Sequence, residues 1–131
     1  MNSASSILRI ASEVLAGEIA AAKNQFDQAI LHLDKAVRLD DALLYTEPPE
    51  FHFPPRLALG AILLKAGRAN EAETVYWEDL KRIRNNGWAL FGLMQALTAQ
   101  NKTERAAIVK ERFEQTWQRA DRELKASRFG L

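Results

Sequence analysis

Residues 59–80 read LGAILLKAGRANEAETVYWEDL, a helical hairpin in miniature. It joins two helical segments, 55–66 and 69–83, through the short connection AGR. A link of that length forces the second helix to run back along the first. Small residues mark the predicted contact, Gly60 in the first helix and Ala72 early in the second.

The pattern recurs on both sides. Apolar residues at three- and four-residue steps predict a helix over 4–22 (Ile7, Ala11, Val14, Leu15, Ile19 and Ala22, with Glu18 among them) and another over 26–39. Segments 87–100 and 103–126 complete six helices, and nothing reads as a strand. The strings FDQAILHLDKAV and TERAAIVKERF align with ANEAETVYWEDL so that Ala29, Ala72 and Ala106 fall together. Ala72 to Ala106 is 34 residues, whereas Ala29 to Ala72 and Gly17 to Gly60 are each 43. A period with one nine-residue excess is the mark of a repeat array with one insertion. The expected fold is therefore all-α: one domain over 1–131 with antiparallel hairpins at about 4–39, 55–83 and 87–126.

The insertion covers YTEPPEFHFPP at 45–55, which holds all four prolines of the chain. Tandem prolines forbid helix and stiffen an extended path. Tyr45, Phe51 and Phe53 are expected to pack on the domain itself, near Leu57 and Leu64, in preference to offering a patch to another chain.

Composition narrows the class. At 131 residues, 47% apolar and 27% charged, the chain is an ordinary globular domain with one core. No apolar run approaches the roughly 20 residues of a membrane span, and MNSASSILRI lacks the basic start of a secretory signal. A cytoplasmic location with no membrane association is the expectation. The absence of cysteine rules out disulfides and thiolate metal sites. Net charge is +1 but uneven: −4 over 1–50, −1 over 51–80 and +6 over 81–131. That polarity falls short of the basic stripe of a nucleic-acid binder.

The pieces VLAGEIA, AVRLDDALLYTEPPEF, NNGWALFGLMQAL and RFEQTWQRAD, with the opening stretch, resemble the C-terminal region of a bacterial tetratricopeptide-repeat protein family. The resemblance covers nearly the whole chain and implies a right-handed superhelix of three hairpins; it names no established activity. Asn24 and Asn101 stand where that family usually has glycine between paired helices, and Arg84 where a proline usually ends the second helix. Phe51 takes a place that is commonly tryptophan.

Chemistry is thinly supported. Glu47, Glu50 and His52 form the one conceivable metal or enzymatic cluster, yet they lack the spacing of a ligand set, and no metal or cofactor is expected. Ser5, Ser6, Ser12 and Ser127 have no acid–base partner in sequence. His32 reads as a half-buried helical residue. The run KRIR at 81–84, with Arg105, Lys110 and Arg112, reads as a solvated helix face, since carboxylates interleave with it and cations suit a helix C-terminus.

The first helix of each tetratricopeptide pair lines the concave surface. The resemblance so places Val14, Glu18 and Ala21, then Leu57, Ala61 and Leu64, then Trp88, Phe91, Gln95 and Thr98 in a partner-binding groove. These residues do not match a carboxylate clamp; Trp88 and Phe91 are either interface anchors or packing between hairpins. A non-enzymatic protein- or peptide-binding module follows, with a metal or enzymatic role at Glu47, Glu50 and His52 as the alternative. A further alternative is the capping end of a longer array. Ile7, Ile10 and Val14 on the first helix are expected to support a homodimer.

Overall fold

The computed structural model describes residues 3–46, 55–84 and 86–118. Among them are six helices and no strand: α1 (Ser3–Ala22), α2 (Phe26–Thr46), α3 (Pro55–Lys65), α4 (Ala69–Arg82), α5 (Gly87–Ala99) and α6 (Thr103–Trp117). The all-α expectation holds. One boundary differs by two turns, because α2 runs on to Thr46 where the periodicity suggested an end near residue 39. The apolar periodicity is interrupted at Asp40 and Asp41. The helix continues through them, and Leu43 joins Ile10 and Ala36 in a small apolar cluster. The helical part of the 45–55 stretch is thus Tyr45, Thr46 and Pro55, while residues 47–54 lie outside the described residues.

Three turns of one design close three hairpins. Asn24, Gly67 and Asn101 have φ of 59°, 78° and 62°, the left-handed values that stop a helix and reverse its chain. In each turn the N–H of the next residue bonds five residues back: Gln25 to Ala20, Arg68 to Leu63 and Lys102 to Leu97, at 2.8, 2.8 and 2.9 Å. The left-handed residue itself bonds three back, to Ala21, Leu64 and Thr98. These are Schellman ends, and they recur at the 43- and 34-residue offsets read from the sequence.

Burial follows the same register. Ala29, Ala72 and Ala106 are 0%, 0% and 8% exposed. A Cβ on Gly17 would stand 3.3 Å from the Ala29 carbonyl oxygen and 2.7 Å from Leu33 Cγ, so the α1–α2 pair needs glycine at that crossing. The hairpins then stack. α3 packs on α1 and α2, and α5 packs on α3 and α4. Tyr76 of α4 is the pin of that stack: it is fully buried, and a Cβ on either Gly60 of α3 or Gly92 of α5 would enter its ring. One core runs from Ala20 and Leu33 through Ile62 and Tyr76 to Leu93 and Val109.

Candidate partner-binding groove

α5 begins at Asn86, whose side chain accepts from the Trp88 N–H at 3.1 Å, so NNGWALFGL supplies its own N-cap. The buried face of α5 carries Ala89, Leu90, Leu93, Ala96 and Leu97. Trp88 and Phe91 turn toward α6. Trp88 meets Trp117 edge-on at 5.5 Å, Phe91 lies 5.5 Å from Phe113, and Phe113 lies 6.1 Å from Trp117. The aromatic rings thus knit the third hairpin together, with Trp117 folded inward against Gly87.

Beside that ladder lies an open depression of about 690 Å³ between α5 and α6. Its walls are Phe91, Met94, Gln95, Thr98 and Ala99 from α5, and Thr103, Ala106, Ala107 and Lys110 from α6. Phe91, Gln95 and Thr98 were expected groove residues; the α6 wall was not foreseen. Its signal was present in the repeat register, since Lys110 stands at the place of Leu33 and Tyr76, both 0% exposed. Tyr76 is covered by α5, which meets it at Gly92, and Leu33 lies against Gly17 in a hairpin on which α3 packs. Among the described residues the third hairpin leaves the same place open.

The other expected groove residues do not share this surface. Leu57 and Ala61 are core, at 2% and 6% exposure. Val14, Glu18, Ala21 and Leu64 are half-buried on α1 and α3. The expected self-association set is also redistributed. Ile10 is 4% exposed, packed with Ala36 and Leu43, and cannot be an outer contact. The extra turns of α2 cover it, since Leu43 lies beyond the expected helix end near residue 39. The exposed face of α1 carries Leu8, Leu15 and Ile19, at 70%, 61% and 48%, with Ile7 at its margin.

Two polar clusters hold the hairpins in register. Asp41 accepts from both Arg56 Nη atoms at 2.6 and 2.8 Å and from Arg82 Nη2, linking α2, α3 and α4. Burial works against its charge, but the Arg56 and Arg82 bonds outweigh it and keep the carboxyl below the usual aspartate value. Asp79, buried beside them, accepts from Asn86 Nδ2 at 2.8 Å. Here burial prevails over the Asn86 bond and the neighbouring cations, and its pKa is raised. At the far end Glu73 accepts from Lys102, Gln100 and Trp77 at 2.9, 3.0 and 3.1 Å. Desolvation opposes that carboxylate's charge, and the three bonds overcome it.

The remaining candidates are accounted for by neighbours. His32 Nδ1 lies 2.8 Å from Glu13 Oε2, a tie between α1 and α2. In the basic run, Lys81 pairs with Glu78 at 3.0 Å and Arg82 with Asp41. Lys81, Arg84 and Arg112 do border a shallow depression beside Trp77, where Arg112 donates to the Arg84 carbonyl. Glu47, Glu50, His52, Phe51 and Phe53 lie outside the described residues. Among the described residues no three metal-capable side chains converge, and no helix is long and apolar enough to cross a membrane. No protein-family model, curated protein or solved structure matches the chain.

Proposed function

We propose that this chain is a protein-interaction module of the tetratricopeptide kind, without chemistry of its own, and that its α5–α6 groove receives a helical segment. The observation that carries this reading is the equivalence of three seats. The seat on α1 and α2 holds α3, the seat on α3 and α4 holds α5, and among the described residues the seat on α5 and α6 is open. A surface shaped like two occupied helix sites, with Phe91 and Met94 among its apolar walls, suits an amphipathic helix laid into a groove. Met94 adds an adaptable floor, and Lys110 at the rim favours a segment with a carboxylate at one edge. The right-handed superhelix of a tetratricopeptide array is part of this proposal.

The test is a selection of helical peptides from a random library, with the Thr98→Arg/Ala107→Arg variant as counter-screen. Both positions line the groove and are exposed, so the variant should fold normally. The expected peptides carry apolar anchors at i, i+3 or i+4, and i+7, and lose binding to the variant by tenfold or more, about 1.4 kcal/mol. Peptides that bind both proteins equally, or no binders at all, would count against the groove.

A further inference from the structure

The outer face of α1 has a definite meaning in the repeat register. Leu15 and Ile19, 61% and 48% exposed, correspond to Ala58 and Ile62 in α3, both 0% exposed. In α5 the same places are Gly92, buried against Tyr76, and Ala96, 0% exposed. What covers them in α3 and α5 is the hairpin before each helix. The exposed stripe of α1 is therefore a stacking face, and the α5–α6 groove is the matching seat. Both ends of one stack are open among the described residues, and each has the shape that the other's counterpart fills inside the molecule.

We infer that copies of this chain stack head to tail, the outer face of α1 in one copy seated in the α5–α6 groove of the next. Charge selects this pairing over α1 against α1. The described first hairpin, residues 3–46, carries −2 and the described third hairpin, residues 86–118, carries +1, so a head-to-tail contact joins opposite signs, whereas two first hairpins meeting would set like charge against like. Such a contact is heterologous and does not close on itself. Gln95, Thr98 and Lys110 make this seat more polar than the internal ones, so the association is concentration-dependent and weakens with salt. This inference rests on the reading of the groove as a helix seat and adds the identity of one occupant.

Complementation between two disabled copies tests it. The first copy carries Leu15→Arg/Ile19→Arg and keeps its groove. The second carries Thr98→Arg/Ala107→Arg and keeps its α1 face. All four positions are exposed, and circular dichroism checks that each copy remains helical. In sedimentation velocity the wild type is expected to grow past a dimer as concentration rises, while each variant alone stays monomeric. An equimolar mixture should give a heterodimer that grows no further, because one intact face and one intact seat remain. A groove variant that still dimerises would assign the contact to α1 against α1 and overturn the inference. A monomeric mixture would overturn it too. So would a wild-type chain that stays monomeric, and that result needs neither variant. If selected peptides still enter the groove in that case, the self-stacking alone has failed; if they do not, the reading of the groove fails with it.

Discussion

Tyr76 shows most clearly what a single residue does here. Its ring fills the space that absent side chains leave at Gly60 and Gly92, so one residue of α4 locks the helix before it and the helix after it. A methyl group at Gly92 would stand 2.2 Å from the Tyr76 ring, which is itself fully buried. Gly92→Ala should therefore cost about 1–3 kcal/mol by overpacking, read as a lower denaturation midpoint; an unchanged midpoint would show that the stack is looser than described. Asn86 has two roles: it caps α5 and it bonds the buried Asp79. Asn86→Ala should cost about 1–3 kcal/mol, since it removes a cap and leaves a buried carboxylate without that partner. Asp79→Asn should behave in the opposite sense. A carboxyl with a raised native pKa stabilises the folded state when protonated and loses that contribution as pH rises through the raised value. At neutral pH the asparagine variant should thus melt no lower than the wild type, and its advantage should shrink as the pH falls and Asp79 takes up its proton. A clear loss of melting temperature at pH 7 would contradict this. Asn86 as a cap was legible in NNGWALFGL, because capping is local chemistry. The burial of Asp79 was not, since it depends on α3 and α5 closing over α4.

At the scale of elements, the three turns carry the regularity. Gly67 has open space around its Cα, with no atom within 4 Å of an added Cβ. Gly67→Ala therefore isolates the conformational cost of a left-handed residue, expected at about 1–2 kcal/mol. Asn101→Gly should raise stability by a few tenths of a kcal/mol, because glycine reaches the same φ without a Cβ penalty. Thermal melts of the two variants shifting in the same direction would contradict the shared turn design. The turns and the six helices could be read in the sequence, since each depends on residues within a few positions of one another, and the 34- and 43-residue offsets followed from matching those local patterns. The length of α2 could not. Its last two turns are held by Arg56 and Arg82, which approach Asp41 from 15 and 41 residues away. The two carboxylates act on opposite sides of the usual aspartate value: Asp79 loses its contribution as pH rises above it, and Asp41 loses its own as pH falls below it. Asp41, with a lowered native pKa, stabilises above its unfolded value and loses that contribution as pH falls through the native one.

The whole molecule is one hairpin unit repeated by translation. Each hairpin presents a face to the hairpin before it and a seat to the helix after it, and in an array such terms add along one axis. The sequence identified the unit and an apolar first helix, but it misplaced the exposed face of that helix at Ile10. The error was geometric: which side of α1 lies open depends on where α2 and α3 pack, and α2 is longer than its periodicity suggested. The groove was half legible, through Phe91, Gln95 and Thr98, because repeat register places the α5 wall. The α6 wall, with Ala107 and Lys110, required seeing that the third seat is open. Sedimentation velocity of the wild-type chain from micromolar to millimolar concentration, at low and high salt, reads out head-to-tail stacking. Two open, matching ends predict a weight-average mass that rises past two copies and falls back as salt is added. A single 14.8 kDa species throughout, or a plateau at two copies, would contradict it.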